Sequence, residues 1–93
     1  MRGNLQYYSG EVKLVKAKVA PKNTKEIVVV GNAKYELVKT DSNRIIEKGN
    51  LDIEGDTVST ILGITEPGFY ELKVIIKVGK EIFIEKAHIR VDK

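Results

Sequence analysis

From Tyr70 to Val78 every second residue is apolar, Tyr70, Leu72, Val74, Ile76 and Val78, with Glu71, Lys73, Ile75 and Lys77 between them. A period of two is the mark of a strand with one face buried. Gly79-Lys80 then interrupts the run, and a Gly-X pair between two apolar segments predicts a two-residue type II′ hairpin loop. That loop fixes a register in which Ile76 faces Phe83, Val74 faces Glu85, Leu72 faces Ala87 and Tyr70 faces Ile89. Residues 80–93 hold no Gly or Pro, but their apolar positions fit no helical stripe. They read as a final strand with a change of parity near Glu85-Lys86.

The rest of the chain has the same short rhythm. "EVKLVKAKV" (11–19) alternates at Val12 and Leu14, then shifts to Val15, Ala17 and Val19, which predicts a bulge. "APKNTK" (20–25) is a loop, and "EIVVV" (26–30) a buried strand. Residues 33–39, 44–50 and 57–62 read as further strands, and "LDI" (51–53) leads into a turn. "TDSN" (40–43) and "EGD" (54–56) supply turns between them, because Asp, Ser and Asn can bond their own backbone. At Glu66-Pro67-Gly68 proline presets one turn torsion and glycine accepts the other. About seven short antiparallel strands with turns every 8–12 residues predict an all-β fold, an immunoglobulin-like β-sandwich, with a small OB- or SH3-like barrel as the alternative. The domain spans 11–93. Residues 1–10, with Gly3 and Gly10, are expected to form a flexible arm.

Composition agrees with this reading. Val and Ile number 11 each against six Leu and four Ala, and β-branched side chains suit a pleated surface. Ninety-three residues support one domain with a modest core. No cysteine is present, so disulfides and thiolate metal sites are excluded. The first residues lack the apolar core of a signal peptide, and no apolar run has the length of a membrane span. Cytoplasmic synthesis is expected.

The net charge of +3 is uneven, with +5 in residues 1–25 and −2 in the remainder. Lys13, Lys16, Lys18, Lys22 and Lys25 make a candidate basic edge. It suits acidic surface or nucleic acid, or serves as solvated protection of an edge strand. No aromatic side chains interleave with these lysines to stack bases, so nucleic acid is not the expected partner.

"EPGFYEL" (66–72) resembles the start of strand F in immunoglobulin-like domains. The resemblance implies that Tyr70 is a tyrosine corner, its hydroxyl bonding back to the backbone just upstream. The Cys pair and the strand-C Trp of antibody-type domains are missing. Residues 26–91 are also similar to small immunoglobulin-like structural proteins of tailed phages and prophages. There a Y-x-L-x-x-x-D-x-N-x-I-x-x-G hairpin precedes a P-G-x-Y-x-L strand. Here the hairpin positions are Tyr35, Leu37, Asp41, Asn43, Ile45 or Ile46, and Gly49. This resemblance implies a virion or assembly role, with other protein subunits as partners and no catalytic residues.

Candidate chemistry is sparse. His88 is the one histidine. Without a second base or cysteines it makes neither a hydrolytic triad nor a zinc site, and it is expected to pair across the hairpin with Glu71. Asp41, Glu47, Asp52, Glu54 and Asp56 lie in or beside turns, and "LDIEGD" (51–56) lacks EF-hand spacing. No cofactor is expected. A carbohydrate-binding module would display aromatics. Tyr35, Phe69 and Tyr70 are expected in the core or at its margin, leaving Tyr7 and Tyr8. The most suggestive surface is Ile75, Ile82 and Ile84, which the hairpin register gathers on its outer face as an interaction patch. A bulge after Gly79 would instead turn Ile82 and Ile84 inward and Phe83 outward. The expected function is therefore a non-catalytic assembly or protein-interaction module, with a carbohydrate-binding module or a weakly nucleic-acid-binding β-barrel as the alternatives and neither a membrane nor a small-molecule ligand as the expected partner.

Overall fold

In a computed structural model the chain is described over residues 4–19 and 29–93. These form eight strands and no helix. They are β1 (Asn4–Tyr8), β2 (Val12–Lys18), β3 (Asn32–Lys39), β4 (Arg44–Asn50), β5 (Asp52–Glu54), β6 (Thr57–Gly63), β7 (Gly68–Val78) and β8 (Glu81–Asp92). One sheet has the order β1-β8-β7-β3-β4 and the other β2-β6-β5. Two separate sheets make a sandwich rather than a closed barrel.

The β7–β8 hairpin is the spine of the larger sheet. Its pairing runs without a break from Gly68 opposite Val91 to Val78 opposite Glu81, in the register set by the Gly79-Lys80 loop. Gly79 takes φ +60°, a torsion that side-chain-bearing residues rarely adopt. The unbroken ladder excludes the expected change of parity at Glu85-Lys86. Phe83, Glu85, Ala87, Ile89 and Val91 all face inward, and Ile82 and Ile84 face out. The sequence pattern misleads here because both faces of the strand carry apolar residues near the loop.

The inward sets of both sheets meet in one core. Leu37, Leu72, Val58, Leu62, Ala87 and Ile89 are each at most 1% exposed. Burying each of the leucine, valine and isoleucine side chains contributes about 1.5–3 kcal/mol before the entropy of ordering is counted. Tyr35 covers Gly49 of β4, where an added Cβ would lie 3.2 Å from its ring. The glycine that interrupts "RIIEKGN" is thus a seat for an aromatic ring. Pairing between β3 and β4 shifts after Leu37, from Leu37 opposite Glu47 to Val38 opposite Ile45, so Ile46 is the extra residue of a bulge.

Three further expectations change. Asn4–Tyr8 is not a loose arm. It pairs in parallel with the outer edge of β8, from Asn4 beside His88 to Tyr8 beside Asp92, whereas the other strand pairs among the described residues are antiparallel. Tyr7 drives this, since its ring enters the core at 1% exposure. Strand β2 has no bulge: Val12–Lys18 pairs continuously with Gly63–Thr57. Val15 and Ala17 pack inward, while Val12 and Leu14 stay exposed. Of the strand expected at 26–30, residues 26–28 lie outside the described residues. Val29 and Val30 precede β3 without belonging to a strand.

Candidate functional site

Two tyrosines tie the elements together. The Tyr70 hydroxyl donates to the Glu66 carbonyl oxygen at 2.6 Å, the back-bond of a tyrosine corner. Lys39 on β3 grips the same turn from the other side, its ammonium 2.5 Å from the Glu66 carboxylate. That ion pair holds the Lys39 amine above the usual lysine range, chiefly through its hydrogen bond to Glu66. The Tyr7 hydroxyl donates to the Leu62 carbonyl oxygen at 3.1 Å and bridges the two sheets. Burial pushes both phenols up from the ordinary tyrosine value. Removing the Tyr70 hydroxyl with Tyr70→Phe is expected to cost about 1–2 kcal/mol, because a buried donor bond is lost. Denaturant melts measure it, and an unchanged midpoint would rule out any anchoring role for the corner.

Among the described residues the candidate basic edge does not form one surface. β2 is an edge strand, but its lysines diverge. Lys16 and Lys18 point outward, Lys18 with its ammonium 3.7 Å from Asp56. Lys13 turns the other way. Its ammonium lies 4.9 Å from the centre of the Tyr7 ring and donates to the Gln6 carbonyl oxygen at 2.7 Å. Glu11 accepts from the Tyr8 backbone N–H. Between them Lys13 and Glu11 occupy backbone groups on the open side of β1, which guards that edge against strand addition. Lys22 and Lys25 lie outside the described residues.

The expected isoleucine patch assembles on the outer face of the larger sheet. Ile75 faces Ile84 directly, and Ile82 lies one step along, opposite Lys77. Ile82 is 63% and Ile84 53% exposed, while Ile75 is half-buried. Lys34, Lys73, Lys77 and Lys86 surround them, with Lys73 beside Glu36 and Lys86 within 3.8 Å of Glu71.

A second apolar stripe lies on the opposite side of the sandwich. Leu14 on β2 faces Ile61 on β6, and both are exposed, as is Val12. Sequence reasoning missed this stripe, because Val12 and Leu14 alternate as well as Val15 and Ala17 do. Lys16, Lys18, Asp52 and Glu54 share this outer face, so its charges balance.

A third surface feature is a groove of about 570 Å³ where β1, β8 and β7 run side by side. Asn4, Gln6, Thr40, Phe69, His88 and Arg90 line it. Phe69 is 66% exposed, against the expectation of a core or marginal position. The alternation carried the signal: with Tyr70 inward, its neighbour must face out. Of the pair left as free aromatics, Tyr7 is buried and only Tyr8 is exposed.

Among the described residues no three His, Asp or Glu side chains converge as metal ligands. His88 is exposed opposite Glu71. Glu47 accepts from the Tyr35 hydroxyl at 3.2 Å, and Asp56 from Thr57 at 3.2 Å.

No family model matches the chain, and no curated protein sequence matches it. Among solved structures the fold is similar to part of an engineered protein, with a TM-score of 0.76 and 10% identity over 98% of this chain. The chain spans 18% of that protein's length. It is also similar to CopC from Methylosinus trichosporium OB3b, with a TM-score of 0.68 and 14% identity, covering 96% of this chain and 83% of CopC. Extracellular domains 3–5 of Drosophila OTK align more weakly, at a TM-score of 0.41 and 11% identity over 98% of this chain and 33% of that one. At such identities the likeness is one of fold. The chain is an all-β sandwich of two sheets.

Proposed function

We propose that the domain is a non-catalytic assembly module that docks through the outer faces of both sheets. The isoleucine patch of one copy seats on the Val12, Leu14 and Ile61 stripe of the next. The observation that carries this is the pair of exposed apolar stripes on opposite sides of one sandwich, since contiguous exposed apolar surface marks interaction sites. Charge decides how the faces meet. Isoleucine face on isoleucine face sets lysine against lysine, and like charges across an interface are costly. Isoleucine face on valine–leucine face sets those lysines against a face whose own lysines, Lys16 and Lys18, are balanced by Asp52 and Glu54. Such a contact is heterologous and builds rings or filaments. A tailed-phage or prophage particle is the setting we propose, on the strength of the hairpin and P-G-x-Y-x-L resemblance within residues 26–91, with synthesis in the cytoplasm. The divergence of Lys13 from Lys16 and Lys18 speaks against a nucleic-acid track.

Light scattering on wild type and two variants tests this. Wild-type mass is expected to climb with concentration up to about 1 mM, the range of weak single contacts. Ile84→Lys and Leu14→Lys are each expected to be folded monomers, since both side chains are more than half exposed. Mixed in equal amounts, the two variants are expected to form dimers and nothing larger, because one intact face of each kind remains. Dimers of Leu14→Lys alone would mean that like faces pair. A wild type monomeric throughout would overturn the reading.

A further inference from the structure

We infer that the groove at the β1–β8–β7 end is a binding site for a neutral carbohydrate, stacked on Phe69 and hydrogen-bonded by Asn4, Gln6, His88 and Arg90. This is independent of the assembly faces. The Phe69–Arg90 pair and the Ile75–Ile84 pair lie six residues apart along β7, which is about 20 Å at the rise of a strand.

The register builds the site. Phe69 lies directly across from Arg90, and Gln6 pairs with Arg90 on its other side. One step along, Asn4 pairs with His88. An aromatic ring and four polar, mostly planar side chains thus share one side of three adjacent strands. The volume of about 570 Å³ is in the range of small-ligand sites.

Charge identifies the ligand class. Arg90 Nε donates to one oxygen of the Asp92 carboxylate at 3.0 Å, and Gln6 Nε2 donates to the other at 2.9 Å. Asp92 therefore orients both side chains and offsets the Arg90 charge. The two bonds hold its carboxyl below the usual aspartate range. A groove whose one cation is already matched has little to hold a phosphate or sulfate. It still offers amide, imidazole and remaining guanidinium groups to hydroxyls. The exposed ring supplies a negative π face for the slightly positive C–H faces of a sugar. An uncharged, polyhydroxylated ring meets all three features at once.

Amide-resolved NMR titration of the full chain is the test, with cellohexaose, maltohexaose and chitohexaose as neutral probes and inorganic phosphate as the anionic one. At least one neutral probe is expected to saturate at low millimolar concentration, shifting Asn4, Gln6, Phe69, His88 and Arg90. Its affinity should be unchanged by salt, because no net charge is neutralised. Phe69→Ala should weaken it at least tenfold and Phe69→Tyr preserve it, both with the wild-type pattern of shifts elsewhere. Silence toward all three sugars overturns the inference. So does binding centred on other residues, or saturation by phosphate that salt abolishes.

Discussion

Leu62→Ala is expected to destabilise the domain by about 3 kcal/mol, the middle of the range for emptying a sealed leucine site. Leu62 has no solvent exposure and lies on β6, the central strand of the smaller sheet. That sheet has three strands against five, so it has little other apolar surface to close over a void. A domain of this size has a total stability of about 5–10 kcal/mol. A loss of 3 kcal/mol would then lower the melting midpoint by roughly 12–24 °C. Thermal and urea unfolding followed by circular dichroism measure it. Ile61→Ala, the next residue and 68% exposed, is the control and should change stability by no more than about 0.5 kcal/mol. Equal effects of the two substitutions would mean that β6 does not face the core through Leu62.

Tyr7→Ala is expected to cost about 3–4 kcal/mol, as removal of a buried aromatic ring does. The ring is nearly sealed, its hydroxyl reaches across to the Leu62 carbonyl oxygen, and Lys13 covers its face. Tyr7→Phe keeps the ring and should cost only about 1 kcal/mol, the worth of one hydrogen bond. The difference between the two measures packing apart from the bond. Hydrogen exchange gives an independent reading. The backbone amides of β1 that bond to β8 should exchange slowly in the wild type and fast in Tyr7→Ala. Were residues 4–8 an unattached arm, both substitutions would leave the melt unchanged.

The assembly and carbohydrate readings use different parts of one sheet, and both depend on alternation. A strand with its core face filled has a free outer face, and what stands there is available for function. On β7 and β8 that outer face carries isoleucines near the hairpin loop and Phe69, His88 and Arg90 at the other end. The turn at Glu66, clamped by Tyr70 and Lys39, fixes where the second group begins.

By itself the sequence determined the all-β class, the β7–β8 hairpin and its register, and the inward set from Tyr70 to Val78. The resemblance of residues 66–72 to strand F of immunoglobulin-like domains pointed to the Tyr70 anchor. These are local matters, because a two-residue loop fixes the pairing around it and a period of two then assigns each face. Tertiary structure alone decided the rest. Where both parities are apolar, as at residues 12–15 and 82–84, the pattern cannot say which set goes inside. The opposing sheet does, by burying Val15, Ala17 and Phe83 and leaving Val12, Leu14, Ile82 and Ile84 in water. The parallel seat of β1 has no local signal either. Its partner stands at the far end of the chain, and only the open edge of β8 and a core site for the Tyr7 ring select it. The groove exists because that distant pairing sets Asn4 and Gln6 beside His88 and Arg90.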